Sequence, residues 1–259
     1  MNRSKSLFMT LIAALPAVAA LADAPPPPPP PPEGVWTGKG QAGFVGTQGN
    51  TDSKALNAAI DMALLEGPWK HALHLGGLYS QNAGITSSER WDAGWQSNYT
   101  ITGDLFGFGG LRYAHDMFSG FQYQASGDVG LGYKVIDDST TKLSGQVGVG
   151  YRKAQPEAIT KNAAGVVTAR TLLPSSSDAI VTAGVDYSQA LTATTSLTDK
   201  LLVESGSSDT LITNTIALAV KMSDKLALSL GYTIQDNTKP PPTLKKVDST
   251  ETINLVYAF

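Results

Sequence analysis

From Val35 onward, apolar and polar residues alternate along the chain, segment after segment, with turn-forming residues between the segments. The clearest segment is Phe121 to Val135, where odd positions carry Phe, Tyr, Ala, Val and Leu while even positions include Gln, Ser, Asp and Lys. Successive side chains of a strand point to opposite faces, so this pattern predicts strands with one apolar and one polar face. Twelve such segments begin near Val35, Asp52, Pro68, Glu89, Asp104, Gly120, Thr141, Ser177, Thr195, Asp209, Asp224 and Val247.

Most segments are long enough for the roughly 9–11 residues that a tilted membrane-spanning strand needs. Three are less regular. Leu105 to Met117 carries Phe106 and Phe108 on the face that should be polar, and Thr195 to Glu204 and Leu211 to Met222 place polar residues on the apolar face.

The lengths of the connections give an independent test of the strand count. Outer-membrane barrels have short periplasmic turns and longer outer loops. If both ends of the barrel lie in the periplasm, the connections on that side are all brief, and the two longest stretches, Ala154 to Ser176 and Asp236 to Lys246, fall on the outer side. The pattern therefore predicts an all-β, antiparallel, up-and-down transmembrane β-barrel of about twelve strands.

A soluble β-sandwich also has alternating strands and turn signals. The even strand count, the aromatic residues near strand ends and the last residue favour the barrel. Leu255, Tyr257 and Phe259 alternate with more polar or smaller residues, and Phe259 ends the chain. This ending resembles the recognition signal of the outer-membrane assembly machinery, which is the partner we expect for the final strand.

The N-terminal region has the features of an export signal. Arg3 and Lys5 precede a short apolar stretch, and Ala20-Leu21-Ala22 fits a cleavage site. We therefore assign residues 1–22 to a signal peptide, 23–34 to a proline-rich periplasmic linker and 35–259 to the barrel. The eight prolines Pro25 to Pro32 should form a polyproline II spacer of roughly 25 Å, which either contacts the cell wall or is a solvated linker.

Composition excludes several classes of function. Charged residues make up 16% of the chain and the formal net charge is -3, so no basic surface for nucleic acid is expected. Cysteine is absent, which excludes disulfides, thiolate metal sites and a lipidated N-terminal cysteine. The expected surroundings are outer-membrane lipid and lipopolysaccharide.

The three histidines are the first candidates for catalytic or metal-binding residues. His71 and His74 point to opposite faces of one strand and cannot share a metal. His115 lies beside Asp116, but neighbouring strand residues diverge, so Asp116 should not orient it. Neither a G-x-S-x-G nor an H-E-x-x-H motif occurs. We expect no enzyme activity, metal or cofactor; an outer-membrane hydrolase with a rim active site near His115 remains the alternative.

Inward-facing charges are the better candidates for function. Both signs occur, so they either line a pore and set its ion preference or form a mutually paired network that plugs the lumen. By alternation they are Asp61, Arg90, Asp92, Arg112, Asp128, Lys134, Lys142, Arg152 and Asp186.

Two stretches carry a family resemblance. Residues 36–51 read W-T-G-K-G-Q-A-G-F-V-G-T-Q-G-N-T, and residues 109–137 contain R-Y-A-H-D-M-F-S-G and G-L-G-Y. They are similar to the YdiY-type family of salt-induced outer membrane proteins. The resemblance implies an outer-membrane barrel linked to envelope or osmotic stress, and it supplies no substrate. We expect a structural or small-solute-permeable barrel of the Gram-negative envelope; a closed barrel that recognises partners through Ala154 to Ser176 is a second alternative.

Overall fold

The computed structural model describes residues 33–48, 53–163, 166–241 and 244–259. The predicted signal peptide and the Pro25 to Pro32 run lie outside these residues. Thirteen strands are present in the described part: β1 (Trp36–Thr47), β2 (Ser53–Glu66), β3 (Trp69–Asn82), β4 (Ile85–Thr102), β5 (Leu105–Asp116), β6 (Phe121–Asp137), β7 (Thr141–Lys161), β8 (Val167–Leu172), β9 (Ser176–Ala190), β10 (Thr195–Gly206), β11 (Thr210–Lys221), β12 (Leu226–Asn237) and β13 (Val247–Ala258). Within the described ranges, no helix is long and apolar enough to span a membrane.

Twelve of these strands form a closed antiparallel barrel. Consecutive strands pair from β1 to β7, β7 pairs with β9, pairing continues to β13, and β13 returns to β1. Closure leaves no free sheet edge around the ring, which the bilayer requires because its core offers no water to unpaired backbone groups. The predicted transmembrane barrel of about twelve strands is confirmed, with strand starts within two residues of expectation except for β4, which begins at Ile85 instead of Glu89.

The stretch Ala154 to Ser176 is not the loop that we expected. β7 continues to Lys161 and the chain returns as β8, which pairs antiparallel with β7 from Glu157 opposite Leu172. Apolar and polar residues do not alternate here. A hairpin beyond the barrel need not present one face to lipid, so its backbone pairing leaves no periodic trace in the sequence.

The two ends of the barrel differ in their connections. The end that holds the start of β1 and the finish of β13, here called the terminal end, has only short turns, at 67–68, 103–104, 138–140, 191–194 and 222–225. Asp138 stabilises one of them, since its carboxylate accepts the backbone N–H groups of Thr141 and Thr140 at 2.5 and 2.8 Å. These donors lower the pKa of Asp138. The opposite loop end carries the β7–β8 hairpin and the 238–246 connection.

The outer surface of the barrel is apolar. Val147 and Ile253 are 64% and 57% exposed. Lipid-facing side chains of a membrane barrel are exposed in this way, whereas the core residues of a soluble sandwich are buried. Aromatic rings cluster near both ends. Trp69 and Tyr99 lie 4.9 Å apart near the terminal end, and Trp91 stacks on Tyr113 at 5.0 Å near the loop end.

Phe106 and Phe108 point into the barrel and are each only 6% exposed. Glycines on the neighbouring strand make room for them. A Cβ atom on Gly132 would overlap the Phe106 ring, and one on Gly130 would lie 2.7 Å from Phe108 Cε1. The interior beside β5 is therefore packed with apolar side chains, which explains why this strand broke the expected alternation.

The seam between the first and last strands has the shortest ladder of the ring. Lys39 to Ala42 pair with Leu255 to Ala258, whereas β1 pairs with β2 along its whole length. Gly38 and Phe259 exchange two further backbone hydrogen bonds of 3.0 Å at the terminal end. Closure of the barrel thus rests on a few pairs at the terminal end, including the last residue of the chain.

Candidate functional site

Contacts between strands that are not neighbours identify the inward face. Gln96 of β4 donates to Gln146 of β7 at 3.1 Å, and Arg90 of β4 donates to Gln235 of β12 at 3.4 Å. Neither pair of strands is adjacent in the ring, so these side chains meet through the interior. Since side chains alternate along each strand, these contacts assign the inward face of every strand they touch.

Three charged side chains of the lumen meet at a largely buried cluster that we call the Arg112 clasp: Arg112, Asp128 and Glu204. Arg112 Nη2 lies 3.0 Å from Asp128 Oδ1 and 3.1 Å from Glu204 Oε1. Their side chains are 26%, 0% and 8% exposed. Hydroxyls complete the cluster, as Thr182 donates to Asp128 at 2.9 Å and Ser126 donates to Glu204 at 2.8 Å. β5 and β10 are not neighbours, so the clasp ties two parts of the wall together through the interior.

A second group of charges lies along β1 to β4. His74 Nδ1 is 2.6 Å from Asp61 Oδ1, and His74 Nε2 is 2.9 Å from Asp92 Oδ2. Lys39 Nζ approaches the other oxygen of Asp61 at 3.8 Å. Asp92 is on the same strand face as Gln96, so the whole group faces the lumen. These side chains remain about half exposed, in contrast to the clasp.

Lys200 and Asp186 continue this water-exposed part of the interior. Lys200 shares its strand face with Glu204 and therefore points inward. Its ammonium is 4.0 Å from Asp186, and the two side chains are 70% and 51% exposed although they lie inside the ring. The lumen is therefore eccentric: it is packed beside β5 to β9 around the clasp, and accessible to water beside Lys39, His74 and Lys200.

Three of the predicted inward charges lie towards the ends of the barrel. Lys134 and Lys142 both pair with Asp137 at the terminal end, at 3.2 and 2.6 Å. Arg152 pairs with Asp209 near the loop end, and Arg152 is only 4% exposed. The interior therefore contains paired, buried charges in one part and water-exposed charges in another.

Sequence reasoning missed Lys39, Lys200 and Glu204. For two of them the alternation along β10 contained the signal, because Lys200 and Glu204 lie on the opposite face of the strand from Leu201 and Val203. β10 had been uncertain because a polar residue, Asp199, falls on its apolar face. In the structure, Asn214 of β11 donates to that carboxylate at 2.6 Å, so the two outward polar groups satisfy one another.

The outward and rim histidines occupy aromatic surroundings. His71 stacks on Trp69 with ring centroids 5.8 Å apart and lies 2.8 Å from the Ser97 hydroxyl. His115 Nδ1 contacts the backbone carbonyl of Gln122. Asp116 instead accepts the backbone N–H groups that close the next turn. His115 and Asp116 thus form no catalytic pair in this geometry, and the described residues contain no acidic and histidine cluster with the arrangement of a metal site.

The loop end is covered by a cap built from three connections. Arg170 of β8 donates to the carbonyl of Met117 at 2.6 Å, which fastens the β7–β8 hairpin to the β5–β6 turn. Glu157 forms an ion pair with the same arginine. Leu244, in the described part of the β12–β13 connection, comes from the far side of the ring and reaches that turn, since a Cβ atom on Gly120 would overlap its side chain.

Beneath this cap lies a cavity of about 230 Å³. Its wall combines the loop-end parts of β6 and β7 with residues of the β10–β11 and β12–β13 connections. Arg152, Asp209 and Lys239 supply charges, and Phe121, Leu173 and Pro241 supply apolar surface.

Comparison with known proteins places this geometry in context. Residues 40–259 match the model of a family described as "Protein of unknown function, DUF481". The chain is 24% identical to the uncharacterised protein YdiY of Escherichia coli (strain K12) over 219 residues, which cover 84% of this chain and 81% of YdiY. Both findings confirm the YdiY-type resemblance seen in the sequence.

Several solved barrels have a similar overall path. The NanC porin has a TM-score of 0.44 and 12% identity, covering 86% of this chain and 98% of that one. The translocator domain of autotransporter NalP from Neisseria meningitidis has the same TM-score and identity, with 86% and 87% covered. The KdgM porin has a TM-score of 0.41 and 11% identity, with 87% and 99% covered.

Proposed function

The chain belongs to the DUF481 family of proteins of unknown function, and we propose that it is an outer-membrane barrel that lets ions and small solutes cross through an eccentric lumen. The observation that carries the proposal is the exposure of inward-facing charges at mid-barrel. Lys200 is 70% exposed although its strand face looks into the ring. A lumen filled by side chains, as in the smallest barrels, would have buried it.

The Arg112 clasp sets the narrowest part of this path. Arg112 and Glu204 reach towards one another from separate parts of the wall and fill the space between them. Arg112 pairs with both Asp128 and Glu204, and these side chains leave only a small gap for a passing solute. The path then runs along Lys39, Asp61 and His74, where both signs of charge are present.

We expect the refolded barrel to show discrete conductance steps in planar bilayers. The truncating variant Arg112→Ala/Asp128→Asn/Glu204→Ala should give larger single-channel steps, because two long side chains leave the constriction. Arg112→Met/Asp128→Asn/Glu204→Gln is the matched control, since it removes the same charges and keeps the bulk. A folded barrel that stays silent in both forms would refute the pore, and equal conductance of the two variants would refute the clasp as its constriction.

The proposal places the protein in the bacterial outer membrane after cleavage at Ala22, with abundance that responds to salt. Support comes from the leader, the final strand ending in Phe259 and the family resemblance. We expect the mature chain to begin at Asp23, to fractionate with the outer membrane and to increase several-fold after a rise in external salt. Mass spectrometry of fractionated cells measures all three; an intact leader or an unchanged amount would remove the corresponding part of the proposal.

A further inference from the structure

We propose that the cavity beneath the loop-end cap is a binding site for a small organic anion, a monocarboxylate with an apolar body. The inference rests on the proposed function, which supplies the reason why a solute enters the lumen. It deepens that function because it names the class of solute that binds at the loop end of the lumen. It is carried by an unpaired donor on a buried arginine, by a second cation on the cavity wall and by an apolar surface facing them.

Arg152 supplies the first observation. The residue is 4% exposed and lines the cavity. Its Nη2 pairs with Asp209, but its Nη1 is buried and has no hydrogen-bond partner among the described residues. An unpaired guanidinium N–H in a protein interior is unusual, because a charged donor that has lost water without gaining a partner destabilises the fold. A carboxylate is the group that a planar guanidinium binds best.

Lys239 supplies the second cation. It belongs to the β12–β13 connection and lines the same cavity, and no carboxylate of the described chain pairs with it. The charges on the wall are then Arg152, Lys239 and the single carboxylate of Asp209. Asp178, the cross-strand partner of Arg152, is not among the residues that line the cavity, and its carboxylate accepts the Ser207 hydroxyl at 2.6 Å. The residues that line the cavity therefore carry one net positive charge, which a single negative charge on the ligand would balance.

The remaining wall selects the rest of the ligand. Phe121, Leu173 and Pro241 offer an apolar surface, and Gln124, Ser176 and Ser208 add three neutral polar groups. A volume of about 230 Å³ is many times what one water molecule needs, so the cavity has room for a small organic molecule. Benzoate combines this size with a carboxylate and a flat apolar body, which makes it a suitable probe.

The test is isothermal titration calorimetry of the full-length refolded barrel with benzoate, and with benzamide as a neutral ligand of the same shape. We expect saturable binding of benzoate with a dissociation constant near or below about 1 mM and at least tenfold weaker binding of benzamide. Arg152→Met/Asp209→Asn removes the arginine without leaving an unpaired carboxylate and should weaken benzoate at least tenfold. Lys239→Met changes an exposed residue, so folding is retained, and should weaken it several-fold. Lys142→Met, at the terminal end, should bind as the wild type does.

Equal binding of benzoate and benzamide, or unchanged affinity in both cavity variants, would overturn the site. Conductance is measured on the same preparations, so the two proposals fail separately. Binding by a silent barrel would refute the pore and leave the site, whereas steady conductance without benzoate binding would refute the site and leave the pore.

Discussion

Arg112→Ala is expected to lower the free energy of unfolding of the barrel by about 3–5 kcal/mol. Asp128 and Glu204 are 0% and 8% exposed, and the guanidinium between them is the cation that compensates both carboxylates. Its removal leaves two buried carboxylates without the cation that pairs with both of them. Urea unfolding of the refolded barrel in lipid vesicles, followed by tryptophan fluorescence, measures the change.

The control variant for this prediction is Arg112→Met/Asp128→Asn/Glu204→Gln. It removes all three charges at similar volume, and the amide at position 128 can still accept the Thr182 hydroxyl. We expect it to lose less than half as much stability as the single variant, because neutral groups of the same shape replace a buried ion cluster at small cost. If the single variant were as stable as the wild type, the clasp would not be a buried charge cluster at all.

Cross-linking the seam is expected to raise the free energy of unfolding by about 5 kcal/mol. Ala42 on β1 lies directly opposite Leu255 on β13, and both face outward. Opposed residues of antiparallel strands have Cα atoms about 4.5–5.5 Å apart, within the Cα range that a disulfide bridges. The bond would close a loop that includes almost the whole barrel, and the loss of chain entropy on unfolding grows with the length of that loop.

The chain has no cysteine, so Ala42→Cys/Leu255→Cys can form only this bond within one molecule. Unfolding with and without reductant gives the stabilisation, and mass spectrometry confirms the link. Ala42→Cys/Ile253→Cys is the register control, since its second cysteine also faces outward but lies two residues away. Efficient oxidation of the control, or none in the matched pair, would show that β1 and β13 pair in another register.

The Arg112 variants and the seam disulfide change two different sets of interactions that hold the barrel together. Backbone hydrogen bonds close the ring, and the seam has the fewest of them. Side chains then brace the ring from within, through the Arg112 clasp and the packed rings of Phe106 and Phe108. Because the bracing lies on one side, the charged wall on the other side stays accessible to water.

The sequence predicted the strands well because a membrane barrel imposes a strict rule on every one of them. Each side chain faces either lipid or lumen, so period-two alternation marks both the strands and their faces. The rule failed where lipid no longer imposes it. The β7–β8 hairpin lies beyond the barrel, and its pairing between Glu157 and Leu172 left no alternation to detect. Around β5 the inner face is packed by Phe106 and Phe108, so apolar residues occupied both faces.

The functional role of the predicted inward charges stays a prediction, although the structure shows what each of these residues contacts. Alternation named Arg112 and Asp128 but could not join them to Glu204, because β5, β6 and β10 meet only when the ring closes. It named Arg152 but not the cavity, whose other walls come from Lys239 and Asp209 on connections far apart in the chain.

The sequence by itself determined which side chains face the bilayer and roughly where each strand begins, since those properties depend on neighbours two residues apart. Only the tertiary structure decided which inward charges are buried together and which stand in water. Partners across a lumen are separated by scores of residues in the chain, so their pairing is fixed by the curvature and register of the closed ring and by nothing local.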